Sequence, residues 1–395
     1  MSISLKYMSL LKDIMEDNSI TPNGKKSLYI ICSFLEKLGF ICQIIPFNDI
    51  NHNNNSSNTH TEVYNLYAKY GKGSFNLCFA GHVDVVPTGD IQKWKFNPFN
   101  FTIDKNILYG RGIVDMKGAI VSYISAIEEF LPVIDQQKMT FSIMLTTDEE
   151  GIAENGIKKL LPYLKNQGEN LSFCLVGEPV SKNSVGDIIK IGSRGSATFK
   201  ITVRGTQGHV AYHEYNDNPA KRIIRILNRA VLYKFDNGDQ YFSPSNLEIT
   251  TMKCDSGAEN IVPEVAFAQF NIRYGNKYTA EILFSIIEKE IIGEDIKFTN
   301  LEYHSSGDSF ISTQIDDNLK SVANAIFQVS NIFPEFSTYG GTSDARFIKE
   351  YCPVIEIGLL GSTAHQINEN CSIDDLNLLK NIYNNVISTI IKKYL

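Results

Sequence analysis

The sequence predicts an α/β domain that is interrupted by a smaller, inserted α+β domain. The chain has 395 residues, which exceeds the roughly 250–300 residues that one hydrophobic core usually holds. Apolar strands alternate with helical patterns in the first half of the chain and again near its end. Between these two regions strands follow one another, with fewer helices. This change of pattern is typical of an α+β unit inserted into an α/β domain.

The predicted α/β domain begins with two helices and two strands. Apolar residues recur at helical spacing over residues 5–15 and 25–38, which predicts two amphipathic helices. ICQIIPF and VYNLYAKYG then read as strands on either side of an Asn-rich loop at residues 48–62. We interpret His52 and His60 in this loop as solvated residues and not as metal ligands.

Three further apolar strands each end in residues that can bind a metal ion. LCFAGHVD, which begins at Leu77, ends with His82 and Asp84, MTFSIMLTTDEEG ends with the acids at 148–150, and LSFCLVGEP ends near Glu178. In an α/β sheet, ligands bind at the carboxyl edge of the strands. We therefore expect these side chains to lie close together.

The spacing around His82 supports a metal site at this edge. His82 and Asp84 are two residues apart, so an extended backbone aims both side chains the same way. This arrangement suits a metal-binding His and a carboxylate that fixes its tautomer. Asp115 directly precedes a helical pattern over residues 116–130. Its alternative role there is that of a helix N-cap.

The inserted domain is predicted from residue 193 to residue 307. Its strands lie in IIKIGSRGSATFKITVRG, SNLEITTMK and EVAFAQFNIRY, and its helices cover residues 218–232 and 279–292. The α/β domain would therefore comprise residues 1–192 and 308–395.

The second part of the α/β domain repeats the strand and helix pattern of the first. A helix is predicted over residues 316–330, followed by the Gly-rich segment YGGTSDARFI and the strand PVIEIGLL. His365 follows this strand, and a last helix begins at Ile373. His365 is thus a further candidate ligand beyond a strand end.

Composition excludes several classes of function. Lys and Arg number 37 against 44 Asp and Glu, the net charge is −7 and no basic cluster is present, so nucleic acid and anionic membranes are not expected partners. No apolar run approaches the roughly 18 residues of a membrane span, and the first residues lack the apolar core of a signal peptide. The seven Cys are scattered without CxxC spacing, as in reduced cytosolic proteins. We expect a cytoplasmic protein.

The candidate metal ligands combine imidazoles and carboxylates; they are His82, Asp115, Glu150, Glu178 and His365. This donor set, without thiolates, suits zinc, cobalt or manganese. Five ligands exceed the roughly three that one catalytic zinc takes from the protein, but they suit two ions that share one carboxylate. Spacing leaves open which carboxylate is shared. It also leaves open which acid of residues 148–150 binds metal and which acts as a base.

Seven motifs, in this order, resemble those of the metallopeptidase family M20 of co-catalytic dizinc amidohydrolases: GHVDVVPTGD, GRGIVDMKG, TTDEEG, GEP, GHVAY, NIVP and GGTSDARFI. The resemblance covers essentially the whole chain. It implies a mixed-sheet catalytic domain with helices on both faces, interrupted by an inserted α+β domain that serves as lid and dimerisation domain.

The resemblance also implies a role for each candidate ligand. Asp115 would bridge two Zn²⁺ ions, for which Co²⁺ can substitute. One ion would be held by His82 and Glu178 and the other by Glu150 and His365. Family members also have a cis peptide bond after the bridging Asp, which corresponds here to Asp115–Met116.

Three further residues receive catalytic roles from the resemblance. Glu149 would be the general base, and Asp84 would be the carboxylate that supports His82. His209 would stabilise the oxyanion, reaching the site from the second subunit of a homodimer. The alternative interpretation of His209 is an ordinary turn histidine after Gly208.

The motifs are most similar to those of family members that hydrolyse N-succinyl-LL-2,6-diaminopimelate in lysine and cell-wall precursor synthesis. This anionic small-molecule substrate needs localised cations, and Arg194 and Arg273 match family positions that bind carboxylates. The alternative for each Arg is a charge on a surface strand. Polar contacts to the substrate are implied for five other residues: Tyr212, Asn260, Ser306, Gly341 and Thr342.

Two segments depart from the family pattern. After GHVAY the chain has His213 and Glu214 where Pro-His is usual, and the loop before His365 is shortened to GSTAH, which includes Ser362. The shortened loop lacks an Asn that contacts substrate in relatives. Both departures concern substrate specificity and leave the predicted ligands intact.

Two alternative functions remain compatible with the predicted metal site. An amidohydrolase similar to acetylornithine deacetylase would share every metal ligand and differ in the pocket around Arg194, Arg273 and Ser306. A non-catalytic metal-binding scaffold would use the same fold. The presence of Glu149 beside all five ligands argues against the scaffold, which has no use for a base.

Overall fold

A computed structural model describes residues 3–48, 62–312 and 316–394. It contains two compact units. The first comprises Met1–Ile191, Ser312–Ser337 and Ser343–Leu395, and the second comprises Gly192–Ile311 and Thr338–Thr342. Within the Gly-rich motif, residues up to Thr342 therefore group with the second unit and those from Ser343 with the first. His52 and His60 lie outside the described residues.

The described part of the chain forms nine α-helices: α1 (Leu5–Met15), α2 (Lys25–Lys37), α3 (Gly118–Ile127), α4 (Ile157–Asn166), α5 (Pro219–Leu232), α6 (Ala280–Ile286), α7 (Asp316–Ser330), α8 (Ala345–Ile348) and α9 (Ile373–Tyr394). None of them has the length and apolar character that a membrane span requires.

The same residues form nineteen strands: β1 (Ile41–Phe47), β2 (Val63–Gly71), β3 (Phe75–His82), β4 (Thr102–Asp104), β5 (Ile107–Tyr109), β6 (Met139–Thr146), β7 (Phe173–Val176), β8 (Ile188–Lys190), β9 (Gly192–Ser193), β10 (Gly195–Arg204), β11 (Gly208–His209), β12 (Asn246–Lys253), β13 (Ile261–Val262), β14 (Val265–Tyr274), β15 (Thr299–Gly307), β16 (Phe310–Ile311), β17 (Glu335–Ser337), β18 (Val354–Glu356) and β19 (Asn370–Ser372).

Most predicted helices are present with nearly the predicted bounds. The helix predicted over 116–130 is shorter, because Asp115 (φ −122°, ψ 88°) and Met116 (φ −137°, ψ 29°) are not helical and α3 begins only at Gly118. The helix predicted over 279–292 continues beyond α6 as a wider π-type turn. Helix α4 was not predicted from the sequence, because Pro162 interrupts an otherwise amphipathic pattern.

The first unit contains a mixed eight-stranded sheet, with the order β1, β2, β6, β3, β7, β18, β8, β17 in its described residues. At its centre β3 runs parallel to both β6 and β7, with His82 opposite Thr146 and Ala80 opposite Val176. Side chains of β6 and β7 are buried along their whole length, as expected for strands covered on both faces. The carboxyl ends of these three strands therefore meet at one edge.

The second unit is an α+β domain in which helices pack against one sheet. Four antiparallel strands lie in the order β12, β14, β10, β15, so KFTNLEYHSSG, which the sequence analysis left unassigned, supplies an edge strand. Alternate residues of β10 and β14, such as Phe199 and Phe270, join residues of α5 and α6 in a separate hydrophobic core. Asn218 caps α5 by accepting a hydrogen bond from the Ala220 N–H at 2.9 Å.

Candidate active site

The candidate site lies at the carboxyl edge of the central strands of the first unit. His82 is the last residue of β3, the acids at 148–150 follow β6, and Glu178 follows β7. Since β3 is parallel to both neighbours and in register with them, these residues meet, as the sequence predicts. Asp115 and His365 join them from a kinked segment before α3 and from the turn after β18.

Two glycines allow the Asp115 segment to approach the strand ends. A Cβ atom at Gly81 would lie 2.4 Å from Cε of Met116, and one at Gly177 would lie 2.6 Å from the same atom. The Met116 side chain is fully buried and occupies the space that these glycines leave. The Asp115–Met116 peptide bond is cis, as the resemblance implied.

The Asp115 carboxylate lies between two imidazoles. Its Oδ1 is 3.1 Å from Nε2 of His82, and its Oδ2 is 3.0 Å from Nε2 of His365. Glu150 approaches the His365 Nε2 to 2.9 Å, and Glu178 approaches the His82 Nε2 to 3.7 Å. Each imidazole Nε2 thus lies near one oxygen of Asp115 and near one further carboxylate, an arrangement that suits a carboxylate shared by two cations.

The His82 ring is oriented by the backbone of Asp84. Its Nδ1 lies 2.9 Å from the Asp84 carbonyl oxygen and 3.8 Å from the carboxylate Oδ1. Nδ1 therefore donates to the carbonyl, which leaves Nε2 directed at the Asp115 carboxylate. The Asp84 carboxylate instead accepts hydrogen bonds from the backbone N–H groups of Glu149 and Glu150, at 3.4 and 3.1 Å. Asp84 thus orients His82 through its carbonyl group and holds the backbone of Glu149 and Glu150 through its carboxylate.

The three consecutive acids have different surroundings. Asp148 is buried, and its carboxylate accepts hydrogen bonds from the backbone N–H groups of Ala153 at 3.2 Å and Asn155 at 2.8 Å. It stabilises the turn after β6. Ligand atoms of Glu150 lie within 4.8 Å of those of His82 and Asp115, and ligand atoms of Glu149 lie within 4.8 Å of those of His82 and Glu178. Only the second and third acids of the run therefore face the candidate metal ligands.

The pKa values reflect this crowded group of carboxylates. Burial raises the pKa of Glu149 well above its usual value, as do the charges of Asp344 and Glu150, against an opposing effect of His82. Burial and the charge of Asp115 likewise raise the pKa of Glu178.

The pKa values of the two imidazoles are raised, whereas the pKa of the Asp115 carboxylate between them is lowered. Hydrogen bonds to Asp115 and Glu150 raise the pKa of His365 to about 10, against a smaller opposing effect of burial. Burial alone would lower the pKa of His82, but its hydrogen bond and charge interaction with Asp115 outweigh burial and raise it. The pKa of Asp115 is lowered, because hydrogen bonds from both histidines exceed the effect of its burial.

This donor set fits divalent cations. Buried carboxylates in close proximity require compensating positive charge to remain ionised. Imidazole nitrogens and carboxylate oxygens that converge without thiolates are ligands typical of zinc and related ions. In the described part of the chain, the groups that could hold such an ion are His82, Asp115 and Glu150, and His82, Glu149 and Glu178.

Two buried residues beside the site, Arg111 and Glu369, were not predicted from the sequence. Their side chains form an ion pair, with 2.8 Å between Nη1 and Oε2 and exposed fractions of 2% and 0%. Glu369 lies four residues after His365, within HQINEN, but its burial cannot be read from a polar segment. Only the fold shows that it contacts the backbone around Asp115.

In the second unit, two predicted arginines lie near each other. Arg194 donates to Oδ1 of Asn246 at 2.9 Å, and Arg273 donates to Oγ1 of Thr342 at 3.2 Å. Burial lowers the pKa of Arg273, and the charge of Arg194 lowers it further. Two neighbouring guanidinium groups, one of them half-buried, favour an anionic ligand. Asn246 is a polar neighbour that the sequence analysis did not predict.

A second group in this unit surrounds His209. The imidazole Nδ1 accepts from the Ala211 N–H at 3.1 Å, so the neutral ring carries its proton on Nε2. The ring centroid of Tyr212 lies 5.5 Å away. Asn260 joins through its carbonyl, which accepts from the Val210 N–H at 3.1 Å. These residues are exposed.

The remaining predicted contacts and the two departures lie on turns and strand ends. Ser306 is the extra residue where the register of β15 against β10 shifts. The Gly341 carbonyl lies 3.5 Å from Oγ of Ser193. His213 is exposed beside Glu214, with 3.5 Å between Nδ1 and Oε2. Ser362 lies in the single turn Gly361–Thr363.

Comparisons with known proteins agree with the motifs. The model of peptidase family M20/M25/M40 matches residues 78–389. The chain is 44% identical to a succinyl-diaminopimelate desuccinylase of Ehrlichia chaffeensis over 375 residues, with 95% of each chain covered. It is 42% identical to a protein of the same name from Pelagibacter ubique over 390 residues, with 98% of each chain covered.

Solved structures share the fold at lower identity. An M20 family metallo-carboxypeptidase from Sulfolobus solfataricus aligns with a TM-score of 0.77 at 17% identity, covering 99% of this chain and 100% of the other. A dinuclear metal-binding peptidase of the same family from Bacillus subtilis aligns with a TM-score of 0.68 at 14% identity, covering 99% and 98%. Motifs, family match and full-length relatives agree, and this chain belongs to peptidase family M20/M25/M40.

Proposed function

We propose that this chain hydrolyses the amide bond of N-succinyl-LL-2,6-diaminopimelate, releasing succinate and LL-2,6-diaminopimelate, in diaminopimelate and lysine biosynthesis. The observation that carries the proposal is the position of the Asp115 carboxylate, with one oxygen at 3.1 Å from His82 and the other at 3.0 Å from His365. The names and near full-length coverage of the relatives support the choice of substrate.

Two Zn²⁺ ions would be held by five residues, with Asp115 shared: His82 and Glu178 on one side, and Glu150 and His365 on the other. When bound, such ions polarise the amide carbonyl and lower the pKa of a water molecule toward neutrality. Co²⁺ could replace Zn²⁺, because it accepts the same nitrogen and oxygen donors.

Glu149 would act as the general base and then as the general acid. Its carboxylate lies beside His82 and Glu178 and makes none of the contacts to Asp115 described above. Desolvation raises its pKa, which favours proton uptake. In this role its carboxylate accepts a proton from the attacking water and returns it to the leaving amine. Asp84 holds the backbone of this segment and thereby positions the carboxylate.

The second unit would recognise the substrate. Arg194 and Arg273 would bind substrate carboxylates, assisted by the polar residues predicted from the sequence: Tyr212, Asn260, Ser306, Gly341 and Thr342. The protonated Nε2 of His209 would donate to the oxygen that becomes negative during attack. We propose that a homodimer in the cytoplasm is the active form and that His209 acts in the partner's site.

A comparison of two substrates tests this proposal. Chelator-treated protein would be supplied with Zn²⁺ and assayed with N-succinyl-LL-2,6-diaminopimelate and with N-acetylornithine, alongside a metal-free control. We expect metal-dependent release of succinate and little acetate. Release of acetate alone would favour the deacetylase alternative, and the absence of metal-dependent hydrolysis of either substrate would contradict the proposal.

A further inference from the structure

The Glu369 carboxylate binds three backbone N–H groups of the segment that carries Asp115. Its Oε1 accepts from the N–H groups of Val114 at 2.9 Å and Asp115 at 3.2 Å, and its Oε2 accepts from that of Gly112 at 3.0 Å. This segment is irregular, with Gly112 at φ 85°. It lacks the regular hydrogen bonds of a helix or strand at these donors, so one side chain supplies their partner.

Arg111 connects the same carboxylate to the turn that carries His365. Its Nη1 donates to Oε2 of Glu369 at 2.8 Å and to the Gln366 carbonyl at 3.2 Å. Its Nη2 lies 3.4 Å from the His365 carbonyl and 3.3 Å from that of Pro87. The guanidinium thus contacts both the acid and the backbone of the turn.

This turn has a backbone conformation that needs support. His365 has φ 62° and Asn368 has φ 63°, in the left-handed region that L-residues rarely adopt. The side chain of His365 is 50% exposed, so packing around the ring does little to hold it. Backbone contacts from Arg111 therefore help to hold the turn that places this imidazole beside Asp115.

We infer that the buried ion pair of Arg111 and Glu369 is a positioning device that holds Asp115 and His365 in metal-binding geometry. The inference rests on the proposed metal centre. Neither side chain is one of the proposed ligands. Both act through the backbones of two ligand-bearing segments, and mutation of such outer residues typically reduces metal affinity 10–100-fold.

Glu369→Gln is the most direct test, because an amide cannot replace this carboxylate. Donors approach both oxygens, and whichever way the amide is turned its NH₂ group faces other donors. Asp187→Asn is the matched control. The Asp187 carboxylate also binds three backbone N–H groups, those of Lys182, Asn183 and Ser184 at 2.9, 2.7 and 3.2 Å, but that loop carries no proposed ligand.

The measurement is Zn²⁺ affinity by isothermal titration calorimetry on chelator-treated protein, with thermal unfolding of the metal-free form recorded in parallel. We expect Glu369→Gln to weaken Zn²⁺ binding about 10–100-fold and Asp187→Asn to leave it unchanged. Unaltered affinity in a folded Glu369→Gln protein would overturn the inference and assign the pair to fold stability alone.

Arg111→Lys provides a second variant if Glu369→Gln does not fold. It keeps the buried charge but loses the fork that reaches both Glu369 and the turn, and we expect about tenfold weaker Zn²⁺ binding. Wild-type affinity in this variant would also overturn the inference. Failure of the wild-type protein to bind Zn²⁺ would instead contradict the proposed function, and the inference with it.

Discussion

At the scale of single residues, three adjacent acids differ because their surroundings differ. The sequence presents Asp148, Glu149 and Glu150 as equivalent candidates. The turn after β6 uses the first to bind two backbone N–H groups, while the other two face the candidate ligands. Three consecutive residues therefore supply a carboxylate that stabilises a turn, a proposed general base and a proposed metal ligand.

Glu149→Gln should remove most of the turnover and preserve metal binding. The amide has the same shape but cannot accept the proton of the attacking water, and loss of a general base costs about 10²–10⁴-fold in rate. The measurements are steady-state hydrolysis and Zn²⁺ content after dialysis. Glu150→Gln serves as the contrasting variant, in which we expect reduced Zn²⁺ content. Full activity of Glu149→Gln would remove this residue from the mechanism.

His209→Ala should lower kcat by about 10²–10³-fold, the effect expected when one oxyanion donor is lost. The donor at Nε2 is available because Nδ1 is already bound to the Ala211 N–H. His304→Ala, which removes another exposed histidine of the same unit, is the control and should leave kcat unchanged. An unchanged kcat in His209→Ala would favour the alternative interpretation as a turn histidine.

At the scale of elements, the close approach of a kinked segment to two strand ends brings the ligands together. Gly81 lies within β3, directly before His82. Its structural role is to leave room for Met116, which also lies against Gly177. The residues before His82 and Glu178 thus lack side chains because the residue after Asp115 occupies that space.

Gly81→Ala should destabilise the protein and weaken Zn²⁺ binding. The added methyl group would lie 2.4 Å from Cε and 3.0 Å from Sδ of Met116, and such overpacking typically costs about 1–3 kcal/mol. Chemical denaturation and Zn²⁺ titration would measure the two effects. The double variant Gly81→Ala/Met116→Ala should recover part of the Zn²⁺ affinity lost by the Gly81→Ala variant, since the smaller side chain makes room. No recovery would show that Met116 is not the cause.

At the scale of the whole molecule, the two units have separate hydrophobic cores. The core of the second unit is built from its own sheet and helices, including Phe199 and Phe270, whose ring centroids lie 5.6 Å apart. All five proposed metal ligands belong to the first unit. Metal binding and the integrity of the second core should therefore be separable.

Phe270→Ala should lower the free energy of unfolding of the second unit by about 3–5 kcal/mol and leave Zn²⁺ affinity unchanged. Phe79→Ala is the comparison in the first unit, because Phe79 is equally buried but lies against Gly177, next to the proposed ligand Glu178. That variant should weaken Zn²⁺ binding. Denaturant unfolding and calorimetric titration distinguish the two, and a loss of Zn²⁺ affinity in Phe270→Ala would show that the units are coupled.

Local patterns in the chain are sufficient to predict the α/β class, most helices and candidate ligands at the strand ends, but they do not choose among the acids at 148–150. Periodicity reports which face of an element is buried, and a strand end followed by His or Glu is visible in a single segment. Contacts between segments that are distant in the chain cannot be recognised in this way. The packing of Met116 against two glycines and the ion pair of Arg111 and Glu369 arise only when segments far apart in the chain meet, because burial is a property of the folded chain and not of a residue type.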